Sequence, residues 1–159
     1  MSDVIHYFAY GSNMNPARVQ KRDMLFEDYQ SGVLHDFALT FNKRSVKYPG
    51  AASANVTRTD AARTEGVVYR LAHPEQILKM DPFEGYPHRY VREAHPIYCG
   101  DEAVTAWVYI ATREYITEGL KPARWYLDHL LAGKEHLSAD YYSALLQVDC
   151  LPDSTQEPE

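Results

Sequence analysis

Glu84 is the residue whose surroundings best fit acid–base chemistry. It lies between Phe83 and the Gly85-Tyr86 pair, after a predicted helix end and before a predicted strand. A carboxyl group among apolar and aromatic neighbours loses solvation, which raises its pKa toward the range useful for proton transfer near neutral pH. A single glutamate in a loop is more often a solvated surface group. The residue pattern alone therefore leaves a catalytic and a surface role open.

A second candidate lies near the N-terminus, where a strand-like stretch runs into a turn of small residues. The stretch is Tyr7, Phe8, Ala9, Tyr10, Gly11, Ser12 and Asn13. Glycine permits unusual backbone angles, and serine and asparagine can bond to nearby backbone. Asn15-Pro16 then fits a helix N-cap followed by proline at the first helical position. Backbone N–H groups in such a turn can bind a carboxylate, although a plain strand-to-helix turn has the same pattern.

Other combinations of reactive residues are weaker. Ser12 does not lie in a Gly-x-Ser-x-Gly turn, so a serine nucleophile is not indicated. Cys99 and His95 lie about 13 Å apart if both are on one strand, too far for a thiol–imidazole pair. The histidines show no metal-ligand spacing. The Lys43, Arg44 and Lys47 group is more typical of a solvated loop than of a phosphate site. We expect no metal and no cofactor.

Composition narrows the class of protein. A net charge of −6 argues against a nucleic-acid partner. No apolar run approaches the roughly 20 residues that span a membrane, and no signal peptide is visible. With only two cysteines, a disulfide framework is not expected, and we predict a cytoplasmic protein. We predict one domain over residues 1–148, followed by an acidic, proline-containing tail at 149–159 that frays.

The order of the predicted elements mixes strands and helices without strict alternation. Strands are predicted at 4–10, 32–41, 51–56, 65–71, 90–98 and 103–111, and helices at 15–22, 73–81, 122–132 and 141–148. Asp81-Pro82 is expected to end the second helix, and residues 42–50 are expected to form a polar, mobile loop. The sequence thus predicts an α+β fold with a mixed, mostly antiparallel, barrel-like sheet and flanking short helices.

Three segments resemble the γ-glutamylcyclotransferase family, also called AIG2-like or BtrG-like. The first is the Tyr-Phe-Ala-Tyr-Gly-Ser-Asn stretch, which resembles the family's signature loop. The second is Leu78 to Gly85 followed by Tyr90-Val91, which resembles the family's segment of an acidic residue and Glu-Gly before a Tyr-Val strand. The third is the spacing of Pro122, Tyr126, Gly133, Leu137, Tyr141 and Leu145. The segments occur in the family's order and extend over most of the chain.

The resemblance implies an activity and roles for individual residues. It implies an enzyme that cyclises a γ-glutamyl group to 5-oxoproline and releases an amine or amino acid, without a cofactor. Glu84 is then the general acid/base, residues 7–13 bind the glutamyl group, and Tyr90 and Tyr126 line the pocket. The partner is a small γ-glutamyl compound, and the protein is expected to be a monomer or homodimer that does not bind a membrane.

Two alternatives remain at the level of sequence. The same cyclisation could serve a specialised substrate, such as a γ-glutamylated polyamine, a lysine isopeptide or an antibiotic intermediate. A binding module without turnover is the alternative from another class, although the presence of Glu84 disfavours it. Residues 86–89 depart from the family pattern and could alter the preference for the leaving group. Asn13 also distinguishes the chain from glutathione-specific relatives, whose loop resembles Tyr-Gly-Ser-Leu.

Overall fold

The strands form a closed barrel in the computed structural model, which describes residues 3–158. The strands are β1 (His6–Ala9), β2 (Phe26–Arg44), β3 (Ala52–Leu71), β4 (Tyr90–Cys99) and β5 (Glu102–Ala111). The α-helices are α1 (Pro16–Lys21), α2 (Ile77–Glu84), α3 (Arg124–Leu131) and α4 (Ala139–Leu146). Short 3-10 turns lie at Ser12–Met14, Pro74–Gln76, Arg113–Tyr115 and Lys134–His136. Within the described range, no helix combines the length and apolarity needed to cross a membrane.

The barrel has the strand order β1-β3-β2-β4-β5 and closes through a short parallel pairing of β1 with β5. All other pairings are antiparallel. The predicted hairpin of the last two strands is confirmed, since Tyr90 pairs with Ala111 and Cys99 pairs with Glu102. The predicted α+β fold with a mostly antiparallel, barrel-like sheet is confirmed as well.

Two apolar clusters hold the barrel and its helices together. One contains side chains from the strands and Tyr10, among them Phe8, Leu34 and Ile97, and fills the barrel interior. The other joins strand residues such as Tyr69 to helix residues such as Leu127 and packs the helices on the outside of the barrel. Because side chains alternate along a strand, β1 contributes to both clusters. This alternation places Phe8 in the first cluster and Ala9 in the second.

β2 and β3 form a longer hairpin than the sequence indicates. Their pairing extends from Phe26 with Leu71 to Arg44 with Ala52, and register shifts interrupt it at several points. The predicted polar, mobile loop at 42–50 is therefore wrong at its start, because residues 42–44 continue β2. Lys43 is buried, contrary to the expected solvated loop. Pairing with β3 extended the strand here, and the charged residues gave no sign of it.

The helix that carries Glu84 ends later than predicted. Asp81-Pro82 was expected to terminate it, but α2 continues through Pro82 to Glu84. The Asp81 carboxylate accepts two hydrogen bonds from Arg92 on β4, at 2.9 and 3.0 Å. It also accepts one from the Tyr109 hydroxyl on β5 at 2.6 Å. These bonds fix the helix to the barrel, and they offset the backbone bond that a proline cannot make.

The C-terminal segment packs on the fold, so the expectation that it frays is wrong for its described part. Ser154 is buried. Its hydroxyl accepts a hydrogen bond from the Arg124 N–H at 2.8 Å, and its carbonyl accepts one from the Trp125 N–H at 3.0 Å. The residue before α3 supplies no side-chain cap. Ser154 therefore caps α3 from a distant position in the chain.

Candidate active site

A cavity of about 380 Å³ opens at one end of the barrel. Its strand-derived lining comes from β1 and the turn after it, from the end of β2, and from the starts of β3 and β4. One further lining residue lies near the end of β5. The structure brings together nine of the ten predicted site residues in this lining: Tyr7, Phe8, Tyr10, Gly11, Ser12, Asn13, Glu84, Tyr90 and Tyr126. Ala9 is the exception. It is buried in the cluster between the barrel and the helices.

Asn13 fixes the turn that follows β1. Its side-chain Nδ2 donates to the Tyr7 hydroxyl at 2.9 Å, and its Oδ1 accepts from Arg22 at 3.2 Å. The Tyr69 hydroxyl donates to the Asn13 carbonyl at 2.6 Å. The predicted cap of α1 is also confirmed, because the Asn15 side chain accepts from the Ala17 N–H. The turn is thus held from both sides at the cavity wall.

Gly11 allows a close approach between this turn and α3. The Tyr126 hydroxyl oxygen accepts a hydrogen bond from the Ala54 N–H at 2.9 Å. A Cβ atom at Gly11 would lie 3.0 Å from that oxygen and 3.2 Å from Ala54 Cβ. Any larger residue at this position would push Tyr126 away from the turn. The glycine therefore serves the packing of three segments around the cavity.

Two further tyrosines of the lining bond to main-chain carbonyls. The Tyr10 hydroxyl donates to the Tyr109 carbonyl, and the Tyr90 hydroxyl donates to the Ala54 carbonyl, both at 2.6 Å. Burial raises the pKa of Tyr10 and Tyr90 well above the usual value, so both phenols stay neutral and remain donors. Their rings contribute to the apolar part of the cavity wall. The Tyr10 hydroxyl connects the turn after β1 to β5, and the Tyr90 hydroxyl connects β4 to β3, which is not adjacent to it in the barrel.

Glu84 is the last residue of α2, and it is the one carboxylate of the cavity lining in the described part of the chain. Burial raises the pKa of Glu84, and the nearby cations Arg22, Lys43, Arg18 and Arg89 oppose the rise. The pKa of this carboxyl group is therefore closer to neutral pH than that of a solvated glutamate, as acid–base chemistry requires. It lies in the same cavity as the turn at residues 10–13.

The cations of the cavity are not among the site residues predicted from the sequence. The cavity lining includes Arg18, Arg22, Lys43, Lys47 and Arg89. The spacing of Arg18 and Arg22, four residues apart on α1, places them on one face of that helix and was an available signal. Lys43 and Arg89 come from β2 and from the connection between α2 and β4. No local pattern relates them, because only the closure of the barrel brings them to the same cavity.

Residues 7–127 match the family model described as gamma-glutamyl cyclotransferase, AIG2-like. The chain belongs to this family. The match includes every predicted site residue, from Tyr7 to Tyr126, and ends before α4. The resemblance stated from the sequence is thereby confirmed.

Solved structures have the same fold as this member of the gamma-glutamyl cyclotransferase, AIG2-like family. A structure named "Gamma-glutamyl cyclotransferase" is 22% identical with a TM-score of 0.83, over 98% of this chain and 94% of that chain. The human protein loc79017 is 23% identical with a TM-score of 0.84, over 99% and 95% of the two chains. YkqA from Bacillus subtilis is 23% identical with a TM-score of 0.78, over 94% of this chain and 56% of that chain. No curated protein is significantly similar in sequence.

Proposed function

We propose that this chain cyclises a γ-glutamyl group to 5-oxoproline and releases the amine or amino acid attached to it. One observation carries the proposal: Glu84, with its raised pKa, shares a cavity with the turn at residues 10–13. Membership of the gamma-glutamyl cyclotransferase, AIG2-like family supports the reaction.

The reaction needs two protons moved from the α-nitrogen of the substrate to its leaving nitrogen. The α-amine of a γ-glutamyl group can reach its own γ-amide carbonyl, but it is protonated at neutral pH. We infer that the Glu84 carboxylate removes one proton from the α-ammonium group, and the amine then attacks the γ-carbonyl carbon. The new C–N bond closes a five-membered ring. Protonated Glu84 then donates its proton to the leaving nitrogen as the original C–N bond breaks. The regenerated carboxylate takes the second proton from the ring nitrogen and passes it to the released amine, which leaves as an ammonium ion.

The remaining lining residues bind and orient the substrate in this proposal. Backbone N–H groups of Tyr10, Gly11 and Ser12 hold the α-carboxylate or the carbonyl oxygen as negative charge develops on it. The side chains of Tyr7, Phe8, Tyr90 and Tyr126 enclose the carbon chain in a curled form, in which the amine and the carbonyl are close. Asn13 keeps the turn in place through its bonds to Tyr7 and Arg22.

The test is the release of 5-oxoproline from a panel of γ-glutamyl amino acids and amines, measured with the wild type and Glu84→Gln. Glutamine keeps the shape of the side chain but cannot transfer the proton, so we expect kcat to fall by about 10²–10⁴-fold. Glu102→Gln is the matched control, because Glu102 is exposed at the start of β5. It should retain wild-type activity.

The outcomes separate the catalytic from the binding alternative. Loss of turnover in Glu84→Gln, with substrate binding kept in calorimetry, supports the proposal. Equal rates for Glu84→Gln and the wild type would remove Glu84 from the mechanism. Binding without turnover in the wild type would leave a binding module as the function.

A further inference from the structure

Four of the five cations of the cavity form two pairs that differ in their partners, and the fifth, Lys47, is exposed. Arg18 and Arg22 lie on α1, beside the turn that follows β1, and both have acceptors. Arg18 forms a 2.6 Å ion pair with Glu157, and Arg22 bonds to Asn13. The second pair, Lys43 and Arg89, lies on β2 and ahead of β4. Both pairs line the same cavity as Glu84, and both lower its pKa.

Lys43 is a buried ammonium group without an acceptor. Lys43 is only 5% exposed, yet it lines the cavity. Its Nζ lies over the rings of Tyr90 and Tyr115, at 5.4 and 5.7 Å from their centroids. Within residues 3–158, it has neither a hydrogen-bond acceptor nor a carboxylate within ion-pair distance. Because the ammonium group lines the cavity with only aromatic rings beside it, the structure favours an anionic group bound beside Lys43.

Arg89 is the second unpartnered cation. Its side chain forms no hydrogen bond or ion pair with any described residue, and it lies against Gly85. A Cβ atom at Gly85 would lie 2.5 Å from Arg89 Cζ. The glycine thus leaves the space that the guanidinium occupies at the cavity wall. A guanidinium held this way suits a carboxylate, with which it can form two parallel hydrogen bonds.

The charge of the cavity contrasts with that of the whole chain. The chain has a net charge of −6, whereas five cations and one carboxylate line the cavity. The glutamyl α-carboxylate accounts for one anion, at the turn beside Arg22. A cationic leaving group such as a polyamine would meet Lys43 and Arg89 and be repelled. The second pair therefore needs an anion on the amine side of the substrate.

We propose that Lys43 and Arg89 form a second anion subsite that selects γ-glutamyl compounds whose leaving amine carries a carboxylate. This inference rests on the proposed cyclisation, and it adds the residues that determine its specificity. It places the leaving amino compound on the side of Tyr90, with the γ-amide at Glu84. Compounds with a neutral or cationic leaving amine are then poor substrates.

The experiment compares three substrates that share the glutamyl group: γ-glutamylalanine, γ-glutamylethylamine and γ-glutamylputrescine. Their leaving amines are anionic, uncharged and cationic. We expect kcat/KM for γ-glutamylalanine to exceed that for γ-glutamylethylamine by about 10–100-fold, as for a charge-assisted hydrogen bond. The putrescine compound should be slower than the ethylamine compound. The ratio between substrates cancels any effect that a variant has on the shared chemistry.

Lys43→Met and Arg89→Met should each bring the alanine-to-ethylamine ratio toward one. Lys43→Arg keeps the charge and should keep the preference. Lys79→Met is the matched control, since it removes an exposed cation from the helix that carries Glu84. Its ratio should equal that of the wild type. Thermal unfolding of each variant shows whether it folds.

Binding of the same compounds to Glu84→Gln, measured by calorimetry, separates the two proposals. Tighter binding of γ-glutamylalanine without turnover in the wild type would refute the cyclisation and support the subsite. Turnover with a ratio near one, or a ratio that Lys43→Met leaves unchanged, would refute the subsite and keep the cyclisation. Equal binding of all three compounds, with no turnover of any, would overturn both.

Discussion

At the scale of single residues, the cavity separates groups that hold the structure from groups left for a ligand. The hydroxyls of Tyr10 and Tyr90 bond to main-chain carbonyls, and the Tyr7 hydroxyl bonds to Asn13. The carboxyl of Glu84 and the ammonium of Lys43 have no hydrogen-bond partner among the described residues. We propose chemistry for the first of these two groups and recognition for the second.

Lys43 leads to a prediction about pH. Burial lowers the pKa of Lys43 to about 8, and Arg89 and Arg44 lower it while Glu84 opposes them. Below that pH the ammonium is charged and can bind a carboxylate, and above it the charge is lost. We expect kcat/KM for γ-glutamylalanine, relative to γ-glutamylethylamine, to fall by up to about tenfold per pH unit above pH 8.

The measurement is a pair of pH–rate profiles, because both substrates share the titration of their α-amine. Lys43→Arg is the control, since a guanidinium stays charged throughout this range. Its two profiles should remain parallel. Parallel profiles in the wild type as well would contradict a role for the Lys43 charge.

At the scale of elements, the end of α2 connects the acid–base group to the proposed specificity site. Gly85 adopts a left-handed conformation, with φ of 72°, and its N–H caps the helix that Glu84 ends. The same glycine leaves space for Arg89. The position of the helix end therefore determines where Glu84 and Arg89 lie relative to each other.

Gly85→Ala and Gly100→Ala form a matched pair. Both glycines have positive φ, at 72° and 66°, so alanine should cost about 1–2 kcal/mol in the free energy of unfolding at either position. An added Cβ meets nothing within 4 Å at Gly100 but would displace Arg89 at Gly85. We expect both variants to unfold at lower temperature, and only Gly85→Ala to lose the preference for γ-glutamylalanine. The same substrate preference in both variants would show that the position of Arg89 does not determine specificity.

At the scale of the whole molecule, the C-terminal segment belongs to the support of the cavity. Ser154 caps α3, the helix that carries Trp125 and Tyr126 of the lining. Glu157 bonds to Arg18 and to His129, at 2.6 and 2.7 Å, and so joins α3 to α1. The segment predicted as a tail thus connects two helices that border the cavity.

Ser154→Ala should lower the free energy of unfolding by about 1 kcal/mol, as loss of a helix cap does. For a chain of this size, the melting temperature should fall by about 2–4 °C. Calorimetric unfolding measures the change. The control is Thr155→Ala, since Thr155 is the exposed neighbour and should melt like the wild type. Equal melting temperatures for the two variants would show that the segment does not stabilise α3.

The sequence by itself was enough for the family, the α+β barrel-like fold and nine of the twenty-one residues that line the cavity. These features follow from local patterns: the two strand-like stretches at 90–98 and 103–111, the Asn15 cap and the turn of small residues at 11–13. Glu84 was found from its apolar and aromatic neighbours in sequence and from the resemblance of residues 78–85 to the family, although Phe83 and Tyr86 are exposed in the structure.

Tertiary structure decided the features that depend on distant partners. Pairing with β3 extended β2 past Lys43, which is buried. Hydrogen bonds from Arg92 and Tyr109 to Asp81 hold α2, which continues past Pro82. Ser154 caps α3 through Arg124, which lies 30 residues away in the sequence. A strand register, a helix anchor and a distant cap each depend on contacts that no local window of sequence contains. The cations that we propose to determine specificity meet only when the barrel closes.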